Sequence, residues 1–234
     1  MAPSRANAEL WLQAETVRLL ATVESLRDRD LTQASVLPGW SLAHLLTHLA
    51  RNADALGNLL VWARTGVETP MYQSTTQRTA DINLGATRPG AVVLDDVVDS
   101  AERLHTNSER LTAQDWRNEV RTGQGRTVPT ATVPWLRLRE VVIHHIDLGA
   151  RIDDVPPQVA ATLLNDVITW IRNQSGWPPL RIETSDTAQS FTTANGDAVT
   201  VGGTAAELVA WMIGRSPGQN LCSAEPLPAL PAWL

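Results

Sequence analysis

The chain has 234 residues, 43% of them hydrophobic, and a formal net charge of -6, which leaves room for one large domain, or a main domain plus a small one, around a true core. No basic block offers nucleic acid an electrostatic footprint, and no run of 18 apolar residues could span a membrane. The one cysteine, Cys222, excludes a disulfide within the chain and a cysteine-built zinc site.

The N-terminal stretch MAPSRANAELWLQAETVRLL has no continuous apolar segment and does not read as a signal peptide. A soluble, cytoplasmic, monomeric protein is the expectation. Residues 6–27 read as an amphipathic helix, with Leu10, Leu12, Val17, Leu20, Val23 and Leu26 near helical spacing. A loop closes at Pro38-Gly39, and Ser41 suits the N-cap of a second helix that runs to about Arg64. That helix carries His44 and His48 four apart, with Arg51 one turn on and leucines around them. Residues 66–89 form a long connection of the kind that often carries function, with room for a short helix from Thr76 to Leu84. A third long helix spans residues 91–111. Residues 115–130 are polar and contain glycine, which reads as another connection. Pro134 suits the first turn of a fourth helix, whose heart is RLREVVIHHIDLGAR, Arg137 to Arg151.

Gly149 and Pro156-Pro157 end that bundle, and residues 157–174 make a further helix. The periodicity then changes. Residues 180–184, 190–193 and 198–201 are short strand-like runs, and Asn195-Gly196 between the last two is a hairpin signal. Thr204 caps a final helix, AAELVAWMIGR. The predicted architecture is mainly α: a four-helix bundle over residues 1–153, then a small α+β domain over residues 154–234. The chain has nine Trp against one Tyr and one Phe; large apolar fillers with a single N–H donor suit a helical core.

Laid on a helix at about 100° per residue, Glu140 and His144 share a face. Asp147 falls beside them, and Arg137 and Arg151 land in the same sector. The rest of the circumference is largely apolar, which marks a buried helix. A charged stripe on a buried helix is costly unless it is paired or bound to a metal. The second helix repeats the pattern with its histidines. In a four-helix bundle, facing helices supply the ligands of a metal. His48, Glu140 and His144 would make a His2Glu set, the pattern of a catalytic zinc with an open position. His44 competes with His48, because the two share a face. The plain alternative is a hydrogen-bonded pair with no metal. His145 points away from Glu140, and His105, among charged neighbours on another helix, reads as solvent-exposed. There is no G-x-S-x-G elbow, phosphate-binding glycine loop or H-E-x-x-H. Cys222, in the irregular tail SPGQNLCSAEP, is a poor candidate for a catalytic thiol.

The runs LPGWSLAHLLTHLARNADAL and RTVPTATVPWLRLREVVIHHIDLG resemble the metal helices of the DinB-like metal-binding bundles, in their mycothiol-dependent branch. The segments TGVETPMY, QGRTVP and WMIGR resemble the maleylpyruvate isomerases of that branch, and the resemblance spans nearly the whole chain. It implies zinc on His48, Glu140 and His144, choosing His48 over His44, and it maps a functional C-terminal arginine onto Arg215. It further implies isomerisation of maleylpyruvate to fumarylpyruvate in gentisate breakdown, with mycothiol as cofactor. A thiolate held at zinc would add to the cis double bond, allow rotation, and leave. Two substrate carboxyl groups and a developing enolate suit arginines: Arg215 first, Arg78 in the long connection second. Asp147 is a further catalytic candidate. Two alternatives stay open. One is a mycothiol S-transferase that keeps the adduct. The other is a zinc-holding module without activity, whose site Asp147 would close as fourth ligand.

Overall fold

The computed structural model describes residues 3–194 and 196–233. It is mainly helical, as the periodicity predicts, and divides into two compact units, Ser4–Gly149 and a second built on residues 150–233. Among the described residues no helix is long and apolar enough to cross a membrane.

The first unit holds four long helices: α1 (Arg5–Ser25), α2 (Leu42–Thr65), α4 (Gly90–Glu109) and α5 (Val133–Asp147), with a short α3 (Thr75–Gly85) between the second and fourth. Helix α2 packs chiefly on α4 and α1 chiefly on α5, while α2 also meets α5. Along α2, Leu45, Leu46, Leu49, Leu56, Leu59 and Leu60 are all buried. Burying each such side chain stabilises by roughly 1.5–3 kcal/mol, which offsets the cost of carrying His48 and Asn52 into the same interior. One core cluster joins Leu19, Val23 and Leu26 to Leu46, Leu49, Val93, Leu94, Val97 and Val141. A second joins Leu56, Leu59, Leu60, Leu104, Trp116, Val120, Val128 and Val133.

Helix starts follow local chemistry. The Ser41 hydroxyl accepts from the His44 N–H, and the His44 ring reaches back to the Ser41 N–H, a capping box with histidine in the role of glutamate. Ser74 caps α3 by accepting from the Gln77 N–H. Pro134 sits in the first turn of α5, where its missing N–H costs nothing. Helix α3 docks on α2 without a side chain at its last residue: a methyl on Gly85 would run into the side chain of Thr47.

Several sequence expectations are corrected. On α1 the buried line is Ala8, Glu15, Leu19 and Val23. Leu10 and Val17 are 64% and 65% exposed, because two residues on from Ala8 or Glu15 is about 200° round the helix. The stretch 115–130 is more than a connection. It forms a two-stranded antiparallel hairpin, β1 (Glu119–Arg121) and β2 (Thr127–Pro129), whose Val120 and Val128 plug the second core cluster. Helix α5 ends at Asp147, and Gly149 takes a left-handed φ of 102°, the conformation that stops a helix. Arg151 therefore does not share the α5 stripe. Its side chain is 76% exposed and pairs with Asp153 at 3.2 Å.

In the second unit α6 (Pro157–Ile171) packs on α7 (Ala205–Met212). Three strands, β3 (Leu180–Thr184), β4 (Ser190–Thr192) and β5 (Val199–Gly203), form a sheet in the order β4-β3-β5. Strand β3 is antiparallel to β4, with Ile182 opposite Phe191, and parallel to β5, with Ile182 opposite Val201. The hairpin expected between β4 and β5 is thus absent among the described residues; Asn195 itself lies outside them. Strand β3 lies in the middle, and its Leu180, Ile182 and Thr184 face the interior in alternation with exposed residues.

Candidate metal centre

The buried seam on α2 faces the stripe on α5. His48 Nε2 lies 3.0 Å from Glu140 Oε2 and 3.1 Å from His144 Nε2, and His144 Nε2 lies 3.5 Å from Glu140 Oε2. Among the described residues these are the His/Glu atoms that gather as a metal-binding set. A tetrahedral zinc with bonds of 2.0–2.1 Å sets its ligand atoms ~3.3–3.4 Å apart. The three atoms stand at nearly that spacing, so the residues present fit such an ion. The histidine side chains are almost closed off, at 6% and 13% exposure, whereas that of Glu140 is 33% exposed. The triad therefore has one side open to solvent, where a fourth ligand can enter.

Each ring is held from behind. His144 Nδ1 lies 2.8 Å from Asp147 Oδ2. A carboxylate only accepts, so Nδ1 carries the hydrogen and, in the neutral ring, Nε2 presents a lone pair to the triad. Asp147 is fully buried as a side chain and thus orients a candidate ligand, in contrast to the fourth-ligand position considered from sequence. His48 Nδ1 receives a hydrogen bond from Arg78 Nη2 at 3.2 Å. The Trp40 ring meets His48 edge-on, with centroids 5.4 Å apart.

Charge follows from this packing. Burial pushes His48 down, and the hydrogen bond it donates to Glu140 only partly opposes it. Burial also works against a charged His144, but the carboxylates of Asp147 and Glu140 outweigh it and raise its pKa. Desolvation acts to raise Glu140, and the hydrogen bonds of His144 and His48 overcome it, holding the carboxyl well below the usual range. An ionised carboxylate beside a neutral imidazole is a ready donor set for a divalent cation.

The remaining sequence candidates fall elsewhere. His44 is occupied by the capping box, its Nδ1 2.7 Å from Ser41 Oγ. His145 Nε2 lies 2.8 Å from Thr22 Oγ1, and His105 is exposed beside Glu109. Arg215 follows α7, with its Nη1 donating to the Ile213 carbonyl at 2.8 Å. Cys222 is exposed, and its backbone bridges to Gly202. Sequence reasoning passed over Tyr72, in the long connection. Its ring lies 5.6 Å under the Arg78 guanidinium, and burial pushes its phenol up. A lone tyrosine in a 234-residue chain rich in tryptophan was the available signal.

Residues 12–149 match the family model described as the mycothiol maleylpyruvate isomerase N-terminal domain. The whole chain resembles a crystal structure of the mycothiol-dependent maleylpyruvate isomerase, with 31% identity and a TM-score of 0.93 over 99% of this chain and 98% of that one. It resembles the crystal structure of a histidine-to-alanine mutant of that isomerase equally, with 31% identity and a TM-score of 0.92 over the same shares. No curated protein matches the chain.

Proposed function

Because this chain belongs to the mycothiol maleylpyruvate isomerase family, we propose that it converts maleylpyruvate to fumarylpyruvate in gentisate breakdown, as a zinc- and mycothiol-dependent cis–trans isomerase. One observation carries the reading: the donor atoms of His48, Glu140 and His144 converge from α2 and α5, within the segment that the family model covers. These three residues would hold the zinc. When bound, a zinc with an open position keeps a thiol as thiolate near neutral pH, for reversible addition to the substrate's double bond.

The protein's own groups then have defined tasks. Asp147 is a positioning residue that locks the His144 tautomer. His48 cannot accept a hydrogen bond at Nδ1 from Arg78 and also give its Nε2 lone pair to a metal, since a neutral ring has only one bare nitrogen. With Nε2 engaged, Nδ1 keeps the hydrogen and the Arg78 guanidinium turns to another acceptor. We assign that acceptor as a substrate carboxylate. Arg215 is proposed for the second carboxylate, where a planar fork gives two parallel hydrogen bonds. We also propose a cytoplasmic monomer, a setting in which a thiol cofactor stays reduced.

Purified zinc-loaded protein mixed with maleylpyruvate should give fumarylpyruvate only when mycothiol is added. Accumulation of a thiol adduct instead would identify an S-transferase. No turnover with zinc still bound would identify a zinc-holding module without activity, and failure to bind zinc would overturn the metal reading. Arg215→Ala should lose most activity at unchanged zinc content, and Arg215→Lys should recover part of it.

A further inference from the structure

We propose that Tyr72 is a positioning residue: its ring carries the Arg78 guanidinium and keeps it aimed at a substrate carboxylate once His48 has released it. The inference rests on the role proposed above for Arg78 as the holder of that carboxylate. Two rings hold the guanidinium. It donates to His48 Nδ1 at 3.2 Å, and it lies over the Tyr72 face, 5.6 Å from the centroid, within the ~6 Å over which an aromatic face attracts a cation. The first contact needs a bare Nδ1, so it is lost whenever Nε2 gives its lone pair to a metal. The second asks nothing of the metal centre and survives. An arginine released at its tip has rotamer freedom to lose when it binds, and a partner that already holds it reduces that cost. An aromatic face suits the task, because it attracts the cation while leaving the in-plane N–H donors free for a carboxylate.

Tyr72 can serve in this way because its own place is fixed from outside the site. Strands β1 and β2 are rooted in the second core cluster through Val120 and Val128. The turn between them meets the connection that precedes α3. There the Gly123 N–H donates to Met71 Sδ at 3.0 Å, and the Tyr72 ring lies against Gly123, so that a methyl on that glycine would touch it at 3.5 Å. Arg121 on β1 pairs with Glu68, and Asn58 on α2 donates to the Pro70 carbonyl at 3.2 Å. The ring therefore rests on the hairpin, and the guanidinium rests on the ring. The phenol feels the charges of Arg78, Glu140 and Arg137, which sets the ring beside the metal centre. A plain packing role at this place would be met by any apolar side chain of similar bulk; holding a cation requires the aromatic face.

The test is calorimetric titration of the zinc-loaded protein with maleate, a cis-dicarboxylate, with no thiol present so that nothing reacts. Arg78→Ala should weaken maleate ~10–100-fold. Tyr72→Leu, which keeps an apolar filler and removes the face, should weaken it ~10-fold, and Tyr72→Phe, which restores the face without the hydroxyl, should recover most of that loss. In the Arg78→Ala background Tyr72→Leu should add no more than ~2-fold, because it acts through the arginine. In turnover with mycothiol the Tyr72→Leu loss should fall on KM rather than on kcat. If Tyr72→Leu does not fold, Tyr72→Met takes its place. Losses that add in the double variant, or a Tyr72→Phe protein as weak as Tyr72→Leu, would overturn the proposal and leave the role of Arg78 standing. No saturation of the native chain at millimolar maleate, or equal affinity in Arg78→Ala, would overturn the role of Arg78 and this proposal with it.

Discussion

The polar stripe of α5 has two halves, and they face opposite shortages. At the C-terminal half, His144 and Glu140 meet His48 in a cluster rich in lone pairs and poor in hydrogens, with Asp147 behind them. At the N-terminal half, Arg137 brings hydrogens into a region poor in acceptors, where it finds only an amide oxygen and a main-chain carbonyl. A divalent cation would fit the first half, whereas the second is already held by those two acceptors and by the charge of Glu140. The contrast shows how one buried helix can carry two opposite charges, one set left for a ligand and the other held by α2. Burial makes the first expensive, and that expense becomes affinity when the missing charge arrives.

The largest effect expected from breaking this contrast is at His48. His48→Ala removes one of three donor atoms, and the protein should lose its bound zinc, read by atomic absorption, and all thiol-dependent turnover. His145→Ala, on the same helix as His144 but bonded to Thr22, should keep both. A smaller effect is expected from Asp147→Asn, which lets the neighbour of His144 present either a donor or an acceptor. Loss of the orienting carboxylate should weaken zinc ~10–100-fold, measured by competition with a chromogenic chelator, while the helical signal in circular dichroism stays unchanged.

The smallest effect sharpens the comparison with a third buried group. Glu15 on α1 is 2% exposed, and burial raises its pKa against the pull of Arg18. A carboxyl whose folded-state pKa is raised favours folding below its ordinary range, and that contribution is lost as pH rises through the raised value. Glu15→Gln should therefore stabilise the protein at pH 7 by about 1 kcal/mol, near 2–4 °C in Tm, and flatten the rise in stability seen on acidifying towards pH 5. Unchanged melting across that range would show that Glu15 gains from its surroundings as much as it loses.

Much of this was legible in the residues. The helix starts at Ser41 and Pro134 and the polar seams on α2 and α5 follow from caps and periodicity, and the structure finds them. The choice between His44 and His48 was not open to periodicity, since both share a face; the deciding contact is the return of the His44 ring to Ser41, a third-residue partner visible as S-x-x-H. Strands β1 and β2 escaped because three residues leave no period to read. The Asn195-Gly196 signal misled because a turn sequence speaks for its immediate neighbours, whereas β5 pairs in parallel with β3 through a crossover that leaves β3 between the other two strands. Arg151 was misplaced by treating a 3.6-residue pattern as continuing past Gly149. Arg137 could be placed on the stripe, but its two acceptors on α2 depend on how that helix packs.

Gly85 turns α3 into a lever. It is the contact point with Thr47 on α2, and Arg78 sits seven residues up the same helix, about 10 Å along its axis. A side chain at the fulcrum would tilt the arm, and a tilt of about 10° over that length displaces Arg78 by about 2 Å, more than its 3.2 Å contact with His48 can absorb. The aim of a guanidinium is thereby set by the absence of one methyl group at the far end of its helix.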